Sequence, residues 1–443
     1  MNSSSRPGYR RRPGRVFPAL FVAVLGFAPF LSAAIIGTNT PAQPLTAERI
    51  AELPVAQRPA WTEYLKRSEQ QRRADRDFLQ NEMRQHGIKV ATVPPSGRRS
   101  TSVPLNKPAA WYGDAEARRL ADIVVSFQTP AGGWSKNLDL TQHPRAPGEG
   151  FAPDNNSRYL GRIDYDAPDD ANWNYVGTFD NDATTTQLGY LAKVIFDVSP
   201  RDGAPYRAAF LRGLDYIFAA QYPNGGWPQV WPLQGGYHDA VTFNDNAMIN
   251  ILSLLREVSE GTNEFAFVPG PTRALAGAAL ERGIECVLAT QIVVGGCRTV
   301  WCQQHDALTL QSTSARNYEM PSQTGGESAE VLVFLMQLPK PSPRIVAAVD
   351  AAAVWFEKTK ISGMAYQRDN DGSRRLVSVA GGGPLWARYY EIGTNRPIFG
   401  DRDRTIHDTL ADISLERRRG YAWYGDWAKQ ALEQYAVWSK AHP

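Results

Sequence analysis

The chain has 443 residues, of which 43% are hydrophobic and 21% charged, and its formal net charge is +3. This composition is typical of a soluble globular protein, and such a small net charge excludes neither a nucleic-acid partner nor a sugar partner. Three cysteines are too few for a disulfide framework, although Cys297 and Cys302 could pair in an oxidising compartment. The 12 Trp and 18 Tyr supply flat, partly polar surfaces that suit a helical core or stacking on sugar rings.

The first 34 residues have the features of an export signal. Several arginines precede an apolar stretch over 16–31, and small residues follow it at 32–34. Two prolines interrupt the apolar stretch, which is also shorter than a typical membrane span, so a cleaved leader is favoured over a membrane anchor. We therefore predict a signal peptide over 1–34 and a secreted or periplasmic protein, with no stable membrane association once the leader is removed.

A helical extension and a linker are predicted over 35–105. Residues 46–85 are highly charged and carry apolar side chains at scattered helical positions, a pattern that indicates two helices. The stretch over 93–108 is rich in Pro and Ser and is typical of a linker. We assign the remaining residues, 106–443, to one main domain.

The main domain contains an internal repeat. The heptad Gln-Thr-Pro-Ala-Gly-Gly-Trp at 128–134 recurs as Gln-Tyr-Pro-Asn-Gly-Gly-Trp at 221–227 and, in decayed form, as Gln-Ile-Val-Val-Gly-Gly-Cys at 291–297. Each copy follows one stretch with helical spacing of apolar residues and precedes another, which favours a pair of helices joined by a Gly-Gly turn over three unrelated turns. Such helix pairs bury their apolar faces against one another, and the Gln amide can satisfy backbone groups at the helix end.

Apolar residues at helical spacing predict eight helices in this domain. They span residues 115–128, 184–196, 206–221, 247–258, 272–291, 327–338, 343–358 and 423–438. The polar stretch over 139–171 is predicted to be a loop. A β-hairpin is predicted over 364–379, around an Asn-Asp-Gly turn.

Two of the predicted helices begin with related oxygen-rich segments. These are Phe-Asp-Asn-Asp-Ala at 179–183 and Phe-Asn-Asp-Asn-Ala at 243–247. Asp and Asn are good N-caps, so helix capping alone would explain both segments. A functional site is the alternative, because stacked helix pairs would bring Asp180 and Asp245 to the same end of the domain. Their hard oxygen ligands suit Ca²⁺ better than Zn²⁺, for which the chain has no paired His or Cys spacing.

A cation, Arg316, takes the equivalent place in the third repeat unit. An ion pair of Arg316 with Glu319 or Glu327 would be a purely structural explanation. Together with Lys136 and several arginines further along, Arg316 instead makes a basic cleft, which would bind an anionic substrate because guanidinium groups grip carboxylates through a planar fork. A divalent cation would reconcile such a substrate with the acids, and it would acidify the carbon beside the substrate carboxylate, as a β-elimination requires. The arginines further along are Arg388, Arg396, Arg402 and Arg404.

These segments resemble the motifs of polysaccharide lyase family 10, the pectate lyases. The resemblance extends from residue 111 to the last predicted helix. Seven ordered motifs carry it: Gly-Gly-Trp-Ser-Lys-Asn at 132–137, Thr-Phe-Asp-Asn-Asp-Ala-Thr-Thr-Thr-Gln at 178–187, Gly-Gly-Trp-Pro-Gln at 225–229, Thr-Phe-Asn-Asp-Asn-Ala-Met at 242–248, Trp-Cys-Gln-Gln-His-Asp at 301–306, Ala-Arg-Asn-Tyr-Glu at 315–319 with Gly-Gly-Glu-Ser at 325–328, and Ala-Arg-Tyr-Tyr-Glu at 387–391 with Phe-Gly-Asp-Arg at 399–402.

The resemblance implies a mainly α fold. This would be an (α/α)3 toroid of repeated helix pairs with long loops and a small β-hairpin, preceded by the helical extension. It makes 106–443 the catalytic domain of an exported pectate lyase that cleaves α-1,4-polygalacturonate. The reaction would be a Ca²⁺-dependent anti β-elimination that gives 4,5-unsaturated oligogalacturonides. We expect a monomer with no nucleic-acid partner.

The resemblance also implies roles for single residues. Arg316 would be the base that takes the C5 proton of galacturonate, and Asp180 and Asp245 would match the acids that handle calcium and the substrate carboxylate. Substrate would be bound by Lys136, Asn181, Arg388 and Arg402. An arginine with an ordinary pKa above about 12 is a poor base, so the site has to favour its neutral form, and we expect an alkaline optimum.

Two other functions are compatible with the same residues. Asp180 and Asp245 could serve as the acid and base of an inverting glycoside hydrolase, whose products would lack the unsaturated uronate. A non-catalytic protein could instead use the basic cleft to retain an acidic polysaccharide without shortening it. The absorbance of the unsaturated product, measured with and without a chelator, separates the lyase from the other two functions.

Overall fold

The structure is a computed structural model that describes residues 35–97, 103–157 and 164–442. The signal peptide predicted over 1–34 therefore lies outside the described residues. Within the described ranges, none of the helices has both the length and the apolar character that a membrane crossing requires.

The described residues form eleven α-helices and fourteen short strands. The helices are α1 (Ala47–Ala51), α2 (Arg58–Gln85), α3 (Ala115–Ser126), α4 (Thr185–Asp197), α5 (Ala204–Ala220), α6 (Ala247–Glu260), α7 (Gly270–Thr290), α8 (Glu327–Met336), α9 (Pro343–Thr359), α10 (Leu415–Gly420) and α11 (Ala428–Ala441). The strands are β1 (Ile35–Thr38), β2 (Val241–Thr242), β3 (Val293–Val294), β4 (Cys297–Arg298), β5 (Gln304–His305), β6 (Ser312–Thr313), β7 (Gln323–Thr324), β8 (Met364–Arg368), β9 (Arg374–Ser378), β10 (Trp386–Ala387), β11 (Tyr389–Tyr390), β12 (Phe399–Gly400), β13 (Thr405–His407) and β14 (Tyr424–Gly425).

The prediction of an (α/α)3 toroid is wrong. Helices make up 46% of the structure and strands 12%, and the strands form several small sheets that the predicted toroid did not contain. The three-stranded sheets have the orders β1-β13-β12 and β2-β5-β6, and the remaining strands pair two by two. The segments between the helices, expected to be loops, are buried in many places, and a buried backbone needs hydrogen-bond partners. Pairing as short antiparallel strands supplies those partners.

The hairpin predicted over 364–379 is confirmed by the pairing of β8 with β9. The predicted helices of the main domain are also present, with bounds that differ by a few residues. In α6 the apolar residues Met248, Leu252 and Leu255 lie at helical spacing and are completely buried, and the helix ends at Gly261, whose φ of 63° suits glycine.

Equivalent contacts confirm the internal repeat. In each copy the Gln side chain donates through its amide nitrogen to a carbonyl of the second helix that follows it in the chain, so alternate helices are joined directly. The three contacts are Gln128 to Ala209 in α5 at 2.8 Å, Gln221 to Ala279 in α7 at 2.9 Å, and Gln291 to Ala348 in α9 at 2.9 Å.

The third copy has an insertion that hides its tryptophan in the sequence. The indole nitrogens of Trp134 and Trp227 donate to carbonyls of the preceding helix, and in the third copy Trp301, not Cys297, makes this contact, with the carbonyl of Val287 at 2.7 Å. The hairpin of β3 and β4 is inserted between the Gln and this Trp. Cys297 is exposed and Cys302 is buried, and both are free thiols.

The N-terminal region packs directly on the main domain. In α2, Trp61 and Tyr64 are buried against Tyr222, and their ring centroids lie 5.2 and 4.7 Å, respectively, from that of Tyr222. The Tyr64 hydroxyl also donates to the carbonyl of Ala220 at 2.9 Å. These aromatic residues belong to the same hydrophobic core as the helices of the main domain. The region also contributes a strand, β1, that the sequence analysis did not predict. The domain boundary after residue 105 stays a prediction.

Candidate active site

The two oxygen-rich segments have the same backbone conformation, as their alignment predicted. Asn181 and Asp245 occupy equivalent positions, with φ of 52° and 49°, and the residues that follow them, Asp182 and Asn246, have φ of 61° and 60°. Asn and Asp tolerate this left-handed conformation better than most residues do. No side-chain hydrogen bond caps α4 or α6. Helix capping therefore does not account for the two segments.

Asp180 and Asp245, here called the acid pair, meet at one amide group. The side-chain nitrogen of Asn244 lies 3.5 Å from Asp180 Oδ1 and 3.2 Å from Asp245 Oδ2. Lys136 Nζ lies 2.6 Å from the other Asp180 oxygen, and Gln229 donates to Asp180 Oδ1 at 3.0 Å. The structure thus places the acid pair and Lys136 together, as the sequence analysis expected of residues that share one site.

Burial and Lys136 act on Asp180 in opposite directions. The residue is only 3% exposed, and burial by itself raises the pKa of a carboxyl group. The neighbouring ammonium of Lys136, and more weakly Arg316, offset this effect and hold the pKa of Asp180 below its ordinary value. Asp180 is therefore a carboxylate at neutral pH, neutralised by a lysine that also stacks on Tyr175, with Nζ 3.3 Å from the ring centroid.

The acid pair carries oxygens of the kind that bind Ca²⁺, but by itself it cannot complete a coordination shell. Carboxylate oxygens are the ligands that Ca²⁺ prefers, and it takes six to eight of them. Both oxygens of Asp180 already accept hydrogen bonds, from Lys136 and Gln229. Among the residues that the structure describes, no group of three or more His, Cys, Asp or Glu side chains could hold a metal ion. A cation at the acid pair would need further oxygens from the substrate or from water.

Arg316 is held by Glu319 in a two-pronged ion pair. Its Nε and one terminal nitrogen lie 2.9 and 2.5 Å from the two oxygens of Glu319, and its backbone N–H donates to the same carboxylate at 3.0 Å. The alternative partner, Glu327, pairs with Arg388 at 2.7 Å. The Arg316 side chain is nevertheless 32% exposed, which leaves it accessible to a ligand.

The ion pair determines the charge state of both groups. Burial lowers the pKa of Arg316, but the Glu319 carboxylate more than offsets this effect, and the pKa lies above its ordinary value. Burial raises the pKa of Glu319, but Arg316 and the Tyr421 hydroxyl more than offset this effect and lower the pKa to about 2. Arg316 is therefore protonated in this structure at neutral pH, and it has to lose a proton before it can act as a base.

A chain of polar side chains in contact, here called the polar relay, extends from the ion pair of Arg316 and Glu319 to the acid pair. Tyr421 donates to Glu319 at 2.7 Å, and its hydroxyl lies 2.6 Å from that of Tyr389. Tyr389 lies 2.5 Å from Gln303, which in turn donates to Asn244. The relay ends at the amide nitrogen of Asn244 that contacts both acids. The relay is thus a continuous row of polar contacts between the two ends of the site.

Three guanidinium groups lie around one buried aromatic ring at the Arg316 end of the site. The guanidinium carbons of Arg316, Arg402 and Arg417 lie 5.1, 5.4 and 4.2 Å from the centroid of Tyr318. Glu416 pairs with both Arg402 and Arg417, and the pKa of this acid falls to about 2, because these two arginines outweigh the upward effect of burial. Three cations around one ring suit a ligand that carries several carboxylates.

The structure therefore divides the predicted residues into two neighbouring groups. Lys136, Asp180, Asn181 and Asp245 form the acid end, where Asn181 donates to Asn137 at 3.2 Å. The guanidinium groups form the other end: Arg316 and Arg402 flank Tyr318, and Arg388 lies over Tyr421, 4.6 Å from the ring centroid. Arg316 lowers the pKa of Asp180, which places the two ends within electrostatic reach of each other.

Sequence reasoning missed several residues of the site, because their neighbours in space are distant in the sequence. Tyr175 and Tyr237 share a hydrogen bond of 2.8 Å beside Lys136, and Tyr237 also donates to Asp166. The others are Gln229, Gln303, Tyr389, Arg417 and Tyr421. A local signal existed only for Gln229, Gln303 and Tyr389, which lie inside motifs that the sequence analysis quoted for other reasons.

Comparison with known proteins gives one family. The profile of the family described as pectic acid lyase matches residues 128–432. A solved structure of a family 10 polysaccharide lyase from Cellvibrio cellulosa is 31% identical, with a TM-score of 0.63, and the match covers 78% of this chain and 99% of that chain. A mutant from the same organism, in complex with trigalacturonic acid, is also 31% identical, with a TM-score of 0.62 and coverages of 77% and 99%. No curated protein matches the chain.

Proposed function

The chain belongs to the pectic acid lyase family and is a lyase that acts on polysaccharide, and from this premise we propose that it cleaves polygalacturonate by an anti β-elimination with Arg316 as the base. One observation carries the proposal. The polar relay joins the partly buried guanidinium of Arg316 to the acid pair, so a base and a carboxylate-handling group lie in one connected site. The likeness to a lyase in complex with trigalacturonic acid supports the choice of substrate.

The reaction breaks one C–H bond and one C–O bond. Neutral Arg316 takes the proton from C5 of a galacturonate unit, the C–H electron pair forms a double bond between C4 and C5, and the bond from C4 to the glycosidic oxygen breaks. The leaving oxygen then takes a proton and becomes a hydroxyl group of the second product. Lys136, Arg388 and Arg402 are proposed to bind substrate carboxylates, and Asn181 lies beside Lys136 and Asp180 at the acid end.

The pairing of Arg316 with Glu319 makes the reaction dependent on alkaline pH. At neutral pH the carboxylate keeps Arg316 protonated, and only the neutral form can accept a proton. We therefore expect activity to rise with pH through the alkaline range. An optimum near pH 5 would contradict a role for Arg316 as the base.

Calcium dependence is part of the proposal. Asp245 and Asp180 would hold the ion together with substrate carboxylates, because these two residues supply only part of a coordination shell. When bound, the ion would withdraw charge from the carboxylate and so acidify C5. Lys136 and Gln229 fix the orientation of the Asp180 carboxylate.

We also propose that the protein is exported and acts as a monomer without a nucleic-acid partner. The arginine-rich start, the apolar stretch over 16–31 and the small residues at 32–34 support a signal peptide over 1–34. The N-terminal sequence of the protein recovered outside the cytoplasm should begin close to residue 35. Recovery of the uncleaved chain in the cytoplasm alone would contradict export.

The decisive experiment follows the absorbance of the unsaturated product during incubation with polygalacturonate. The wild type should produce it, and Arg316→Lys and Arg316→Ala should lower kcat by a factor of about 10³ or more, since a positioned base contributes 10²–10⁴. Arg344→Lys is the matched control, because this arginine is also paired with a glutamate but lies exposed on the surface. Its activity should equal that of the wild type.

The same assay separates the alternatives. New reducing ends without absorbance would indicate a hydrolase, and retention of polymer without shortening would indicate a binding protein. Full activity of Arg316→Lys would overturn the assignment of the base while leaving the lyase activity in place.

A further inference from the structure

The residues just before α1 lie outside the region that matches the family, yet they reach the active site. The family profile begins at residue 128, and residues 35–45, here called the N-terminal segment, precede it by more than 80 positions. Strand β1 of this segment pairs with β13 as the outer strand of the sheet β1-β13-β12. Because β12 and β13 flank the loop that carries Arg402, the N-terminal segment lies directly against a substrate-binding loop.

Asn39 directly follows this strand, and its side chain contacts the turn that carries Arg316. The side-chain nitrogen of Asn39 lies 3.2 Å from the carbonyl oxygen of Arg316, 3.0 Å from that of Asn317 and 3.1 Å from that of Glu319. Asn39 is only 3% exposed, so water does not replace these contacts. One amide group thus holds three of the four carbonyl groups from 316 to 319, the turn that carries both members of the ion pair.

The backbone of Asn39 holds the second basic loop. Its N–H donates to the carbonyl of Arg404 at 2.8 Å, and its own carbonyl accepts a hydrogen bond from the Tyr165 hydroxyl at 2.9 Å. Asn317 connects the two loops, since its side chain donates to the carbonyl of Arg402 at 2.6 Å. The turn with Arg316 and the loop with Arg402 therefore meet at Asn39.

We propose that Asn39 is a positioning residue for the elimination, and that the N-terminal segment is part of the active site of this chain although it lies outside the family domain. The proposal rests on the proposed role of Arg316. A base has to lie within about 3 Å of the proton that it removes, and a misplacement of 1 Å can cost about 10²-fold in rate. Fixing the carbonyls of the turn fixes the direction in which the Arg316 side chain leaves the backbone.

The N-terminal segment is also anchored at points that Asn39 does not touch. Leu45 N–H donates to Asp239 Oδ2 at 3.0 Å, and the Ser314 hydroxyl donates to the carbonyl of Thr40. Just beyond the segment, Arg49 pairs with Asp306 at 2.6 Å. Loss of the Asn39 side chain therefore removes the support of the turn while these anchors keep the segment in place. This arrangement makes a matched control possible.

The test compares Asn39→Ala and Asn39→Asp with Arg49→Ala in the full-length protein, using the polygalacturonate assay and thermal melting. We expect both Asn39 variants to lower kcat by about 10- to 100-fold with KM changed less than about threefold, since the substrate-binding arginines remain. Arg49→Ala breaks an anchor of the same region and should lower the melting temperature by a similar amount while keeping kcat within about twofold of the wild type. A role for Asn39 in stability alone would not produce this difference in kcat.

Tyr165→Phe provides a milder perturbation if an Asn39 variant does not fold. It removes the hydroxyl that donates to the Asn39 carbonyl, and we expect kcat to fall by about threefold, which corresponds to the loss of one modest hydrogen bond. Wild-type kcat in the folded Asn39→Ala protein would overturn the inference, as would an equal loss of kcat in Arg49→Ala.

Failure of the proposed function gives a different result. If the wild type makes no unsaturated product, or if Arg316→Ala keeps the wild-type rate, the proposed function fails and the role of Asn39 falls with it. If Arg316→Ala is inactive but Asn39→Ala has the wild-type kcat, the proposed function stands and only the inference about Asn39 is overturned.

Discussion

Glu319 controls the protonation of Arg316 through a two-pronged ion pair. Its carboxylate accepts two hydrogen bonds from the guanidinium, at 2.9 and 2.5 Å, and another from the Tyr421 hydroxyl. The charged groups that act on Arg316 are mixed, because Asp180 lies on the acid side while Arg417 and Arg402 share the Tyr318 ring with it. Glu319 dominates because it is both the closest acid and a buried one.

Glu319→Gln should shift the pH dependence of activity toward lower pH. The carboxylate raises the pKa of Arg316, so its removal lowers that pKa, and the neutral form that accepts a proton becomes populated at a lower pH. We expect the rising limb of kcat/KM against pH to move down by about 1 unit or more. Glu416→Gln is the control, since Glu416 pairs with Arg402 and Arg417 but not with Arg316. A limb that stays in place, or that moves upward, would contradict this role of Glu319.

The same substitution has a pH-dependent effect on stability. The folded-state pKa of Glu319 is lowered to about 2 from an ordinary value of 4.5, so its ionised form stabilises the protein fully above about pH 4.5. This stabilisation is lost as the pH falls from about 4.5 toward 2. The difference in melting temperature between wild type and Glu319→Gln should therefore be largest near neutral pH and shrink in acid.

At the scale of elements, the Gly-Gly turns of the first two repeat copies are built for close packing. A Cβ atom on Gly225, whose φ is 90°, would lie 2.1 Å from the carbonyl oxygen of Arg282 in α7. A Cβ atom on Gly132 would likewise lie 2.4 Å from the carbonyl oxygen of Arg212 in α5. The turn in the third copy is different, since around Gly295 no atom comes within 4 Å of such a Cβ. The third heptad therefore lies under weaker steric constraint, which agrees with its decayed sequence.

Gly225→Ala should destabilise the protein much more than Gly295→Ala. The first change forces a methyl group into the backbone of α7 at a φ that L residues rarely adopt, which should cost about 3 kcal/mol or more. The second adds a methyl group in open space at a φ of 57°, which should cost about 1 kcal/mol. Denaturant titration of the two variants measures the difference. Equal losses of stability would contradict the close packing of the second turn.

The whole molecule is stabilised by its hydrophobic core. The largest completely buried side chains include the tryptophans of the repeat, and one hydrophobic cluster extends from the N-terminal helices to α11. Lys136 offsets one of the two negative charges of the acid pair, and amide groups of Gln229 and Asn244 donate hydrogen bonds to these acids. We therefore expect the proposed cation to contribute to the reaction and not to folding.

A chelator should abolish the lyase activity without changing the melting temperature. We expect the product absorbance to stop rising after addition of EDTA and to recover with excess Ca²⁺, while the melting temperature of the free protein changes by less than about 1 °C, because a ligand stabilises a fold only when the folded state binds it. A large fall in melting temperature would reveal a structural ion instead. Activity that persists in EDTA would contradict the calcium dependence.

The sequence by itself determined the family, the helices and most of the catalytic candidates. Helical periodicity and N-terminal patterns depend on neighbours three or four residues apart, so α6 and α9 could be predicted from local spacing. The repeated heptads and the motifs around Asp180, Asp245 and Arg316 are also continuous in the sequence. The partner of Arg316 was limited in advance to two nearby glutamates.

Only the tertiary structure decided how these parts meet. The sheets were not predicted in full because pairs such as β1 with β13 and β2 with β5 join segments that are distant in the sequence, and no local pattern specifies them. The polar relay and the contacts of Asn39 with the turn at 316–319 have the same character, since each joins groups that are close only after folding. The physical reason is that buried backbone and side-chain polar groups need hydrogen-bond partners. Which groups become partners depends on how the whole chain packs, and local sequence patterns do not specify that packing.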